Sequence, residues 1–152
     1  MNYDIYNDVV FVVIEQEGSK RYLILNQAKI DYFYLGPTTF ETIPDSTVLG
    51  LEGGIYEVVY EQEETSILIK NQKKRIQDLD PITEMQYRFD FVRDYYIIWE
   101  GEAHPANNKK EILALFADRP DILAYIKTHR LKFRAKRIDF EGNLVKLIKE
   151  FG

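Results

Sequence analysis

Two histidines, His104 and His129, are the side chains of this sequence best suited to moving protons near neutral pH. Neither sits in a His-Glu-x-x-His pattern or stands at a spacing that pairs zinc ligands. His104 occupies Glu102-Ala103-His104-Pro105, where the proline ring biases it toward extended backbone and Glu102 is its nearest acidic neighbour. His129 lies beside Arg130 and two residues from Lys127, which opposes a second positive charge and supplies no carboxylate to orient the ring. Without cysteine, the chain cannot use a thiolate nucleophile, a disulfide framework or an iron–sulfur centre. Ser19, Ser46 and Ser66 lie outside any Gly-x-Ser-x-Gly elbow. Gly50-Leu51-Glu52-Gly53-Gly54 lacks the Lys and Ser/Thr of a phosphate loop and reads as a turn before a strand. Asp78, Asp80 and Glu84 could offer oxygens to a hard cation, but the spacing and glycine of a calcium loop are missing. Glu61, Glu63 and Glu64 read as a solvated hairpin tip. No catalytic residue, metal ligand or cofactor is therefore assigned.

Binding chemistry is better represented. Lys127, Arg130, Lys132, Arg134, Lys136 and Arg137 form the densest basic run, with Phe133 inside it. If Leu131 to Arg137 is extended, Leu131, Phe133 and Ala135 face one way while Lys132, Arg134 and Lys136 face the other. That basic face suits a phosphate group, the acidic part of the chain, or solvent alone. The eleven tyrosines are interleaved with β-branched residues, and strand alternation must turn some of them outward, where tyrosine offers a large contact area with a polar tip. The candidate binding residues are accordingly Tyr32, Tyr34, Tyr95, Lys132, Arg134 and Lys136.

The elements that must carry these residues divide at about residue 106. Residues 1–106 hold 19 acidic and 9 basic side chains, whereas residues 107–152 hold 6 acidic and 11 basic. The acidic part reads as β. Val9 to Ile14 is almost wholly β-branched and returns through Gln16-Glu17-Gly18-Ser19 into Arg21 to Leu25. Ile30 to Leu35 stops at Gly36-Pro37, and Ile55 to Tyr60 pairs with Thr65 to Ile69. Met85, Tyr87, Phe89 and Phe91 alternate with polar residues at a strict period of two, and Tyr95 to Trp99 is expected to pair back on that strand. These segments predict six to eight antiparallel strands in a curled sheet or small barrel.

Residues 107–152 read as three short helices packed on the β part as one globular unit. Asn108 can cap a first helix, with Glu111 as its capping-box partner and Ile112, Leu115 and Phe116 on its inner face. Pro120 opens a second helix anchored by Ile122, Leu123 and Ile126, and a third from about Glu141 aligns Leu144, Leu147, Ile148 and Phe151. The fold class expected is thus α+β, an antiparallel sheet or barrel-like part followed by a helical end.

Composition and charge restrict the partners. At 152 residues, 45% of them hydrophobic, with five prolines and eight glycines, the chain has the size and core of one globular domain. The net charge of −5 argues against general nucleic-acid affinity. No stretch approaches the roughly 20 apolar residues of a membrane-spanning helix, and Met1-Asn2-Tyr3-Asp4 is not of signal-peptide form.

Tyr3-Asp4-Ile5-Tyr6-Asn7-Asp8, Ala28 to Phe33, Gly54 to Tyr60 with Leu68 to Lys74, Ile112 to Asp118, Ile122 to Leu131, and Asn143 to Ile148 together cover most of the chain. In these segments the sequence resembles uncharacterised extracytoplasmic proteins of Bacteroidetes-type bacteria. The resemblance implies a precursor with a signal peptide and a further strand ahead of Tyr3, hence a periplasmic or cell-surface location, and it carries no catalytic residue. The leading expectation is a non-catalytic extracytoplasmic module that binds a protein or a cell-envelope component. A small hydrolase or ligand-binding enzyme with a site near His104, and a purely structural domain of a larger assembly, are the alternatives.

Overall fold

The computed structural model describes residues 1–44, 49–78, 86–134 and 139–152. Its element order is β1 (Asn2–Asp4), β2 (Val9–Gln16), β3 (Ser19–Ile24), a 3-10 turn (Gln27–Lys29), β4 (Tyr32–Leu35), β5 (Thr38–Ile43), β6 (Gly54–Gln62), β7 (Thr65–Asp78), β8 (Gln86–Trp99), β9 (Glu102–Pro105), α1 (Lys109–Leu115), α2 (Pro120–Thr128) and α3 (Asp139–Phe151). The class is α+β, and the strands form two open antiparallel sheets, β1-β2-β3 and β4-β5-β6-β7-β8-β9, not a closed barrel. The change from strand to helix falls between Pro105 and Lys109.

The alternating segment and the Tyr95 to Trp99 segment are one continuous strand, β8, and do not pair with each other. Its partner is β7, which runs on to Asp78 and holds Ser66 opposite Ile98 and Arg75 opposite Phe89 in one unbroken register. The polar run from Asn71 to Arg75 conceals this strand in the sequence, because its exposed part from Lys73 projects beyond the core and needs no apolar face. Phe89 and Phe91 are indeed exposed there. Asp80, Glu84 and Met85 lie outside the described residues.

Strand register assigns the core to two faces of the larger sheet. Phe33, Phe40 and Ile55 share one face with Ile67, Ile97 and Trp99. The smaller sheet covers the first three through Val10 and Tyr3, and the helices cover the others through Ile112, Phe116, Ile122, Leu144, Leu147 and Ile148. The opposite face carries Ile43, Tyr56, Leu68 and Ile98, closed over by Leu49 and Leu51. The helices form as their spacing demands. Asn108 accepts the Glu111 amide at 3.1 Å, and Glu111 in turn accepts the Asn107 amide at 2.7 Å. Proline opens α2, and the Leu144, Leu147 and Ile148 stripe of α3 is wholly buried.

Between the two apolar patches on the helix-side face, Glu57 receives Asn71 Nδ2 at 2.8 Å and Arg93 at 3.1 Å, and Arg93 reaches Glu141 of α3 at 3.3 Å. A second polar contact joins the sheets. Asp8 in the β1–β2 turn takes Lys70 Nζ at 2.6 Å, the Tyr3 hydroxyl at 2.6 Å and the Ile55 amide at 3.3 Å, while its carbonyl accepts Gln27 Nε2. Gly54, at φ 138°, leaves room for this group: a Cβ there would overlap Lys70 Nζ and Asp8 Oδ2. Beyond the turn, β2 and β3 continue as a two-stranded ribbon. Val13, Ile14, Tyr22, Leu23 and Ile24 are all exposed on it, and β1 pairs only with Val9, Val10 and Phe11.

Two measurements check this packing. Leu147→Ala removes a wholly buried side chain and is expected to lower the unfolding free energy by about 2–5 kcal/mol in urea titration, with the m-value unchanged; an unshifted midpoint excludes α3 from the core. Gly54→Ala places a side chain in a left-handed backbone region and against the Asp8–Lys70 contact, so a loss of about 2–4 kcal/mol is expected. A wild-type melting curve for that variant contradicts the packing around Asp8.

Candidate functional site

The first strands of the larger sheet alternate in a way that leaves aromatic rings in solvent. Phe33 turns inward to stack on Phe40 at 5.0 Å, so Tyr32 and Tyr34 on either side must turn outward, and they are 45% and 69% exposed. Across the pair, Tyr32 stands opposite Glu41 and Tyr34 opposite Thr39, which is itself opposite Val58 of β6. These side chains share one face, and β4 is the end strand of its sheet.

A β-bulge completes the surface. Val58 pairs with Leu68 but Tyr60 with Ile67, so Val59 is an extra residue and the alternation of β6 inverts after it. Tyr60 thereby turns its ring toward the helix-side core, and Glu61, opposite Ser66, comes to the same face as Glu41 and Val58. Tyr32, Tyr34, Thr39, Val58, Val59, Tyr60 and Glu61 line a shallow groove of about 660 Å³. Burial and the neighbouring Glu61 carboxylate raise the Glu41 carboxyl above its ordinary value, and a hydrogen bond from Tyr32 offsets part of that. The Tyr32 hydroxyl is raised in turn, first by burial and then by the charges of Glu41 and Glu61, which keeps it a hydrogen-bond donor. The groove thus presents exposed aromatic faces beside two carboxylates, one of which holds its proton more tightly than usual.

The candidate residues fall into separate places. Tyr32 and Tyr34 are together in the groove. Tyr95 lies on the opposite face of the sheet, half-buried under α3, where its ring meets Phe140 at 5.0 Å and its hydroxyl donates to Glu141 at 3.3 Å. Lys132 and Arg134 are exposed while Leu131 and Phe133 are buried, the alternation expected of an extended segment, and they border another cavity near Lys109. Lys136 lies outside the described residues. His104, in β9 opposite Ile97, makes no hydrogen bond to a carboxylate among the described residues. His129 ends α2, with Nδ1 3.1 Å from the Tyr125 carbonyl and its ring against Tyr125. Glu41 was not singled out in the sequence, and Glu61, read with Glu63 and Glu64 as a solvated hairpin tip, lies instead within β6, where the register across β4, β5 and β6 makes it a neighbour of Glu41. The one available signal was the run Val58-Val59-Tyr60, three consecutive bulky residues that break a period of two.

No group of three or more His, Asp or Glu side chains able to hold a metal ion occurs among the described residues. None of their helices is long and apolar enough to cross a membrane. Fold and site together define an α+β protein with a tyrosine- and carboxylate-lined groove on an open antiparallel sheet. Comparison with protein-family models, curated proteins and solved structures gives no match.

The raised Glu41 carboxyl has a consequence for stability. A carboxyl whose folded-state pKa exceeds its unfolded value favours folding below the unfolded pKa, and that contribution disappears as pH rises through the folded value. Wild-type protein is therefore expected to gain on Glu41→Gln between pH 7 and about pH 4. Urea midpoints for both proteins at several pH values in that range check this, and parallel curves reject the assignment of burial and Glu61 as the cause.

Proposed function

We propose that the protein is a non-catalytic binding module that holds a hydroxyl-rich glycan of the cell envelope in the β4–β6 groove. The observation that carries this reading is the combination of Tyr32 and Tyr34 with Glu41 and Glu61 on one concave face. Exposed aromatic rings give flat apolar contact to the C–H faces of a sugar, and carboxylates accept hydrogen bonds from its hydroxyls. The groove volume falls within the range of small-molecule sites, and a shallow open form suits one stretch of an extended chain. An extracytoplasmic location, proposed from the resemblance described above, would place the groove where such polymers occur.

The groove also favours a second reading, a glycan hydrolase. A carboxyl with a raised pKa beside another carboxylate is the arrangement from which a general acid and its partner are built, and here it lies at Glu41 and Glu61, away from His104.

Affinity electrophoresis through gels containing a soluble β-glucan, a chitooligosaccharide-substituted matrix or solubilised peptidoglycan separates these readings. Retardation by at least one polymer is expected, with about tenfold weaker binding in Tyr32→Ala/Tyr34→Ala and an unchanged melting temperature. Equal mobility in all gels, or equal retardation of the variant, rejects the groove as a glycan site. Release of reducing ends that disappears in Glu41→Gln would replace the module with the hydrolase.

A further inference from the structure

We propose that the cavity between the start of α1 and residues 131–134 is an anion site that takes the phosphate group of a small phosphorylated compound. This inference does not rest on the glycan reading, since the cavity and the groove share no residue. The cavity measures about 350 Å³ and is lined by Lys109, Leu131, Lys132, Phe133 and Arg134. It is less open in shape than the groove, and its lining brings three cations from two separate segments around an apolar floor.

The backbone that carries Lys132 is tied to the helices. The Leu131 amide donates to the Ile126 carbonyl at 3.0 Å, and the Lys132 carbonyl accepts Asn143 Nδ2 from α3 at 3.0 Å. Leu131 and Phe133 are buried, Phe133 against Phe140, so the intervening Lys132 and the following Arg134 are directed outward. Lys109 is the first residue of α1, and the Asn108 cap sets the start of that helix. None of the three cations has an ion pair among the described residues. Three like charges gathered at one concavity, with no carboxylate among its described lining residues, repel one another, and an anion seated between them removes that repulsion while gaining charge-assisted hydrogen bonds. Arginine adds a planar fork that matches two phosphate oxygens, and the ammonium groups supply point charges. The size of the cavity admits a phosphomonoester with a small organic group and does not require a polymer.

Calorimetric titration with inorganic phosphate and with glycerol 3-phosphate tests the site. Both are expected to saturate, with binding weaker at 250 mM than at about 25 mM sodium chloride. Lys132→Ala/Arg134→Ala and Lys109→Ala should each weaken it about tenfold or more, as loss of a charge-assisted hydrogen bond requires, while Lys146→Ala/Lys149→Ala on α3 should leave it unchanged. Melting temperatures of all variants should match wild type, because every substituted side chain is exposed. Three results overturn the proposal: no saturation by either probe, equal weakening in the α3 variant, or binding seen only with phosphatidylglycerol vesicles, which would make this face a membrane contact.

Discussion

The joint between the two sheets is organised around the ion pair of Lys70 with Asp8. Lys70 belongs to the middle of the larger sheet and is buried, whereas Asp8 sits in the turn that ends β1, at a φ of 53° that few aspartates adopt. A buried ammonium needs a counter-charge and further hydrogen bonds to offset its lost hydration. Asp8 meets that need while also receiving Tyr3 and the Ile55 amide, and the Tyr56 ring lies 4.9 Å from Lys70 Nζ. Burial and the Asp8 carboxylate raise the Tyr3 hydroxyl pKa, so it remains a donor. The turn, the 3-10 segment, β6 and β7 are thereby tied at one point, and Val10 is carried onto Phe33, Phe40 and Ile55.

That arrangement decides which face of the larger sheet is free. The small sheet and the helices divide the helix-side face between them, with Glu57, Asn71, Arg93 and Glu141 filling the polar strip where the two meet. On the other face, Leu49 and Leu51 cover the patch around Tyr56 and Leu68, and the part beyond it near β4 carries the groove. The site is therefore a remainder, a portion of a two-sided sheet that no other described element covers. Its chemistry comes from the inversion at Val59, which moves a tyrosine ring toward the core and a carboxylate into the open.

Local pattern made much of the architecture legible in the amino-acid sequence. The Asn108 cap, Pro120, the Leu144 to Phe151 stripe, the turn after Gln62 and the strand at Val9 all depend on neighbours within a few positions, where side-chain period and backbone preference act directly. That Tyr32 and Tyr34 share a face followed from alternation, but which face was not legible, since Tyr32-Phe33-Tyr34 is aromatic in either parity. The length of β7 was not legible either, since Lys73 to Arg75 are held extended by pairing with β8 and not by burial. Nor was the nearness of Glu41 to Glu61, which are twenty residues apart and meet only through register and a bulge. Tyr95 is the instructive case of the opposite kind: its residue type fitted an exposed contact, but strand parity placed it under Phe140. Sheet closure was likewise undecidable from strand count, because an open edge and a closed barrel use the same alternation.

The β2–β3 ribbon has a consequence for the protein in bulk solution. Its apolar residues occupy both faces, its outer strand ends the sheet, and the polar and charged residues of the ribbon gather toward the hairpin tip, from Glu15 to Arg21. An unpaired strand edge flanked by such side chains is a template for pairing between molecules, and the charged side chains on it, which would lose hydration in such a pair, are what oppose it. The ribbon lies away from both cavities, so shelf life at high concentration is set by this least protected hairpin and not by the melting of the fold.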